Sequence, residues 1–212
     1  ENLLKIMVSN GMYKYDEGGE YVDINYPVSV IGESREHCIV MGGGLRMRGD
    51  REDDVYVTNL TLRDSKRHGV WGNNGASIHL DNVSVENSGY CGVSVWSAKR
   101  STMKNCNVSH SKMSGLLVMS GGLMTISGNA TTIHHNCTNG DSSCTDDYGL
   151  HTGISCAIHL VSPLTKETIS TGNEGCRHYG GAGTIKSVDT DGKVLEVVYE
   201  GQDESDDEDD DY

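Results

Sequence analysis

Three segments of this chain align without gaps at a constant offset of 23 residues: Val55–Leu62, Ile78–Val85 and Ser101–Val108. Asn59, Asn82 and Asn105 share one column of the alignment, Ser65, Ser88 and Ser111 a second, and Gly69, Gly92 and Gly115 a third. A fourth copy begins at Met124 and drifts by two residues before Ile133, and a fifth runs from Ile158 to Ile169 with longer insertions. Upstream, Val28–Ile31 and Cys38–Val40 read as an earlier, less regular coil. A fixed period of this length marks a unit that cannot bury its apolar face alone and must stack on its neighbours.

Each copy holds a short alternating strand, an asparagine, a second alternating strand, a polar turn, and then glycine followed by an apolar residue. Period-2 alternation turns Ile78 and Leu80 inward with His79 outward, then Val83 and Val85 inward with Ser84 outward. By the same parity Leu60, Leu62, Cys106 and Val108 belong to the core, and Thr61 and Asn107 face out. Asparagine between two strands tolerates the left-handed conformation of a corner and can bond to its equivalent one coil away. Glycine before the third strand is expected to supply the positive φ of the next corner. With 27 glycines, 2 prolines and no phenylalanine, the composition suits many strands and turns better than helices. The expected fold is all-β, a right-handed parallel β-helix (solenoid) of about 23-residue coils.

The ends differ from the middle. Asp189–Gly192 is a turn signal between the β runs Thr184–Val188 and Lys193–Tyr199, which predicts a hairpin capping the last coil. The expected organisation is a solenoid over 1–183, irregular at first and regular from 55, a β-hairpin cap over 184–199 and an acidic, disordered tail over 200–212. Nine carboxylates lie between Glu200 and Tyr212; without them the formal charge of −14 becomes −5. Neither part has the basic face that nucleic acid requires. No stretch reaches the ~20 apolar residues of a membrane span, so membrane insertion is not expected. No signal peptide is visible, and Glu1 rather than Met opens the chain, consistent with a processed form or a fragment. The compartment stays open.

Asn59, Asn82 and Asn105 at coil spacing, each between alternating strands, resemble the right-handed β-helix of the pectin-lyase-like superfamily over about residues 20–185. The chain is most similar to the repeat-type members of that superfamily, largely uncharacterised. The resemblance implies the fold; the fold hosts lyases, hydrolases, epimerases, adhesins and inert scaffolds. Of the motifs that polygalacturonase-type hydrolases share, only an Asp-Asp, Asp146–Asp147, is present; the Asn-Thr-Asp, Gly-His-Gly and Arg-Ile-Lys are missing, as is the Asp-Pro-His-Glu of alginate epimerases.

Asp146, Asp147 and His151 remain the candidate acid/base cluster, against the simpler reading of a solvated loop. Lys66 and Lys112 occupy the same turn two coils apart; with Arg67 they are candidate contacts for a carboxylated or sulfated glycan, although charged turn tips are common. Lys99, Arg100 and Lys104 carry most of the remaining positive charge of the coils. Trp71 and Trp96 follow their glycines by two and four residues, so they share no column and are expected to cover coil edges. His79, His110, His134, His135 and His159 show no spacing that demands a metal, and no cofactor is expected. Asn59, Asn82, Asn107, Asn129 and Asn136 head Asn-x-Ser/Thr sequons that the repeat itself generates. Seven cysteines lack metal-knuckle spacing, and only Cys137 and Cys144 suggest a local disulfide. The function expected from these residues is a non-catalytic binding or scaffold module for a glycan or a protein, with a polysaccharide-active enzyme as the alternative.

Overall fold

The computed structural model of the chain describes residues 3–15, 20–50, 53–139, 147–174 and 177–195. The first coil is β1 (Leu4–Val8), β2 (Gly11–Lys14) and β3 (Tyr21–Ile24); the second is β4 (Val28–Gly32), β5 (Cys38–Met41) and β6 (Gly44–Met47). Then come β7 (Asp54–Thr58), β8 (Thr61–Arg63) and β9 (Val70–Gly72), followed by β10 (Ser77–Asp81), β11 (Ser84–Glu86) and β12 (Val93–Trp96). The fifth coil is β13 (Ser101–Lys104), β14 (Asn107–Ser109) and β15 (Leu116–Met119); the sixth is β16 (Leu123–Ser127), β17 (Thr132–His134) and β18 (Leu150–Thr152). In the seventh, β19 (Ala157–Val161) leads to the short helix α1 (Lys166–Ile169), then β20 (Ser170–Thr171) and β21 (Tyr179–Gly181), and β22 (Thr184–Val188) follows. Every coil gives one strand to each of three parallel sheets: a first sheet from β1 to β22, a second from β2 to β20 and a third from β3 to β21. Among the described residues no helix is long and apolar enough to cross a membrane.

The repeat period becomes register. Val57, Leu80, Met103, Ile126 and Leu160 stack in the first sheet, Leu62, Val85, Val108 and Ile133 in the second, and Val70, Val93, Leu116 and Leu150 in the third. All are buried, as are Leu60, Val83 and Cys106. The two-residue drift of the fourth copy is the turn at Ser127–Thr131, after which Thr132 pairs with Asn107.

Corners are made by residues that accept the left-handed region. Asn59, Asn82 and Asn105 have φ of 54°, 53° and 50°, and Asn82 Nδ2 donates to Asn59 Oδ1 at 2.9 Å. A second such column was not apparent from the repeat, because its members differ in type: Asp64, Asn87, His110 and His135, with φ of 57°, 54°, 57° and 52°. Asn, Asp and His are the residues most often found there. A third column comprises Asn74, Ser97 and Ser120.

Two expectations are corrected. Gly69, Gly92 and Gly115 do not have positive φ; they are glycines because a Cβ would strike Val85, Val108 and Ile133, the core residues of the next coil. Thr61 and Ser84 point outward yet are only 4% and 5% exposed. Thr61 Oγ1 donates to the Arg35 carbonyl at 2.7 Å, and Ser84 lies beneath Glu86 and Asn107. At the C-terminal end β22 pairs parallel with β19 as a further rung of the first sheet, and Val188 bridges antiparallel to Val194 across the following turn, as a hairpin requires. The chain then turns at Asp189–Gly192, and Leu195 N–H reaches back to the Ser187 carbonyl at 3.0 Å. Residues 196–199 of the expected hairpin and the acidic tail from 200 lie outside the described residues.

The serine column lies inside the turn between the second and third sheets. Ser65, Ser88 and Ser111 are buried, and one and two coils further the same position is taken by Asn136 and Asn173. Asn136 Nδ2 donates to Asn173 Oδ1 at 3.0 Å and to the Val108 carbonyl at 3.1 Å, so the wider late coils are tied by an internal amide ladder.

Candidate functional site

The outer face of the third sheet carries both tryptophans of the chain. Parallel register sets Asp23, Arg46, Trp71, Ser94, Leu117 and His151 in one column. Trp96 and Met119 stand beside them, two residues further along their strands. Trp71 and Trp96 each follow their glycine by an even number, so both project from the outer face of the third sheet, with Trp71 opposite the buried Ser94 and Trp96 two residues further along the Ser94 strand. Trp96 Nε1 donates to Ser94 Oγ at 2.9 Å. The turn that enters the sheet adds further rings. Tyr21 lies 5.6 Å from Trp71, and His68 lies 5.6 Å from Trp71 and 5.7 Å from Tyr90, centroid to centroid.

Charges on this face are paired with one another. Arg46 makes two bonds to the Asp23 carboxylate, at 2.6 and 2.9 Å, while its guanidinium lies 4.8 Å from the Tyr21 ring. The hydrogen bond from Arg46 lowers the Asp23 pKa and raises that of Arg46. Arg67 bonds Glu20 at 2.8 Å and lies over Tyr90. Burial, then the nearby Arg67 charge, lowers His68 to about 4, so its ring is neutral at pH 7.

Beyond Met119 the face falls into a cleft of about 700 Å³ lined by Tyr148, His151, Thr152, Ile154 and Ala182 among others. Behind it the structure brings together two of the three expected acid/base residues. Ser114 Oγ donates to Asp147 Oδ1 at 3.1 Å, lies 3.4 Å from His151 Nδ1 and accepts the Tyr148 amide proton at 3.2 Å. Ser114 is fully buried and Asp147 is 7% exposed, so these two anchor the loop entering β18, while His151 also lines the cleft. Asp146 lies outside the described residues. Burial, with Asp147 alongside, pushes the Cys91 and Cys137 thiols up to about 12, which keeps them protonated and unreactive. Cys137 is a free thiol, and Cys144, the partner its spacing suggested, lies outside the described residues.

The other sequence candidates separate. Lys66 and Lys112 are exposed at the same turn with Gly89 between them, whereas Arg67 is committed to Glu20. Arg100 bonds Asp54 and Lys104 lies 3.8 Å from Asp81. His79 faces out from the first sheet, stacked on Tyr56 and bonded to Thr102 at 2.9 Å and Asp54 at 3.2 Å. His159 is three rungs away. Of the sequon asparagines, Asn136 is fully buried, Asn59 and Asn82 are held in the corner ladder, Asn107 bonds Ser84, and Asn129 is exposed.

Residues 43–186 match the protein family described as right handed beta helix region. The chain belongs to this family. Comparison with curated proteins and with solved structures returned no match. For a right-handed β-helix the match accounts for the stacked coils and their three sheets, and leaves the chemistry of the outer faces to the residues themselves. Tyr21, His68 and Tyr90 were missed from the sequence because they fall in none of the repeat columns. The even offsets of Trp71 and Trp96 were the signal that would have put both on one face.

Proposed function

We propose that this β-helix is a non-catalytic binding module that holds an extended, neutral glycan along the outer face of its third sheet. What supports the reading is that Trp71 and Trp96 stand on the same face of adjacent strands, and that Trp96 registers with Met119 at the edge of the cleft. Flat rings suit the apolar faces of sugar rings, and partly exposed aromatics beside polar groups are typical of recognition surfaces. Six strands from β3 to β18 span roughly 24 Å at ~4.8 Å each, room for several sugar units. Because Arg46 and Arg67 already have carboxylate partners, the face offers little net charge to a polyuronate.

Affinity electrophoresis through gels carrying xylan, glucomannan or β-glucan tests this, followed by calorimetry with oligosaccharides of the retaining polymer. At least one neutral polymer should retard the protein, and Trp96→Ala should weaken binding about tenfold, or ~1.4 kcal/mol. Lys66→Ala with Lys112→Ala should leave that binding unchanged. Retardation by no neutral polymer, or retardation indifferent to Trp96, would remove the basis of the proposal.

A polysaccharide-active enzyme is the second reading, favoured by Asp147 and His151 meeting through Ser114 behind the cleft. The burial of Ser114 and Asp147 weighs against it. Neither new reducing ends nor unsaturated products should form from pectate, alginate or neutral glucans. Products that vanish in Asp147→Asn would reverse the order of the two readings.

A further inference from the structure

Three histidines meet at the corner between the second and third sheets. His134 is the last residue of β17, and His135 follows it in the left-handed conformation, with φ of 52°. His110 holds the equivalent corner one coil earlier. The rings of His110 and His135 are stacked, 5.4 Å apart and 7° from parallel, and His134 stands edge-on to both, at 4.9 Å from His135 and 6.2 Å from His110. His110 and His135 are exposed and His134 is half-buried.

The corner column explains His110 and His135 as residues that tolerate positive φ, in line with Asp64 and Asn87 before them. It does not explain His134, an outward residue of the strand, nor the way its ring is held. His134 Nε2 lies 2.9 Å from Asn107 Oδ1. The orientation of that amide is set by its own bonds: Nδ2 donates to Ser84 Oγ at 2.9 Å, and Oδ1 accepts from Thr132 Oγ1 at 3.1 Å. Nε2 therefore carries the hydrogen, and the lone pair of neutral His134 is on Nδ1. That atom lies 2.6 Å from Nδ1 of His135. Without an ion, the hydrogen of neutral His135 sits on its Nδ1 and is donated to that lone pair; when that hydrogen leaves or moves to the far nitrogen, two imidazole lone pairs stand at a spacing close to the bite of a two-nitrogen chelate. An amide oxygen fixing the far nitrogen of a histidine is the outer-shell arrangement that orients metal-ligating imidazoles.

The geometry points to a site for a late first-row divalent ion, copper(II), nickel or zinc, chelated by Nδ1 of His134 and Nδ1 of His135. Imidazole nitrogen suits these ions and does not suit magnesium or calcium. Bonds of about 2.0–2.1 Å at a right angle set the two nitrogens about 2.9 Å apart, so on exchanging proton for metal the nitrogens separate by a few tenths of an ångström and the exposed rings turn to aim both lone pairs at the ion. Among the described residues no three His, Cys, Asp or Glu side chains form a preformed metal cage. The ion accordingly takes two protein nitrogens, with water completing its shell and the His110 ring beside it. This site is separate from the glycan face and does not depend on that reading.

Calorimetric titration of the full chain with Zn²⁺ or Ni²⁺ at pH 7.5 should show one saturable equivalent, and Cu²⁺ should give an electron paramagnetic resonance spectrum with nitrogen hyperfine structure. His134→Gln and His135→Asn, the latter chosen because asparagine keeps the corner conformation, should each weaken binding at least about tenfold and simplify that spectrum. Asn107→Ala, which frees the far nitrogen of His134, should weaken it about tenfold as well. Circular dichroism of the variants separates loss of a ligand from loss of fold. A chain that takes up no stoichiometric equivalent, or one whose binding survives both histidine substitutions in folded protein, would overturn the assignment.

Discussion

His68 is enclosed by Trp71, Tyr90 and the Arg67 backbone turn, and its Nδ1 has no hydrogen-bond partner. An unfolded histidine takes up its proton near pH 6.5, whereas folded His68 resists until about 4. The unfolded state therefore binds more protons across that window, and the fold loses stability as pH falls from 6.5 to about 4. With allowance for the part of the ring that reaches solvent, the loss is about 2 kcal/mol. His68→Phe keeps an aromatic ring in the slot and removes the titration, so melting temperature measured against pH should flatten over this range. An unchanged slope would assign the acid sensitivity to other groups. The residue types alone did not predict this behaviour: His68 is one histidine among nine, and only its neighbours from other coils make it hard to protonate.

At the scale of the element, the unit of stability is the contact between one coil's turn and the next coil's core strand. Gly92 faces Val108 with no room for a Cβ, and the Gly115 carbonyl and Ser111 hydroxyl close the remaining space. Gly92→Ala should destabilise by roughly 2–3 kcal/mol through overpacking. Adding Val108→Ala should recover part of that loss, because one collision is then relieved. Chemical denaturation of the single and double variants reads this coupling, and strict additivity would mean the glycine is needed for backbone reasons instead. Alternation and the constant offset made the inward residues of β7 to β17 legible before any coordinates. The reason for the glycine was not legible, because the same column is compatible with a conformational demand and with a steric one. Likewise the second corner was hidden, since Asp64, Asn87, His110 and His135 satisfy one backbone requirement with three different side chains. Thr61 and Ser84 were assigned an outward direction correctly, but direction does not decide burial: Arg35, Glu86 and Asn107 cover them.

Over the whole molecule the strand ladders form a one-dimensional stack that joins each coil to its neighbours, and long side chains such as Arg35, Arg67 and Arg100 reach further. The ends of such a stack are weakest. Leu4, Ile6, Met7, Met12 and Tyr13 of the first coil are all exposed, whereas the core columns from the third to the sixth coil are sealed. Amide hydrogen exchange followed by mass spectrometry should be fastest in β1 and β2 and slowest in β10 to β15. Uniform protection along the chain would mean that the stack opens only as one unit. What the sequence determined by itself is whatever repeats: the coil length, the parity of each strand, the asparagine corner and the core columns, because every coil must meet the same stacking constraint. What only the tertiary structure decided is whatever occurs once. The Trp71–Trp96 face, the Ser114 link between Asp147 and His151, the carboxylate partners of Arg46 and Arg67, and the histidine corner all depend on which unlike residues the stack sets side by side. Insertions in the sixth and seventh coils shift that pairing away from the period. A repeat specifies its own neighbours one coil away; it carries no information about side chains that depart from the repeat, and those are the ones that form the outer faces.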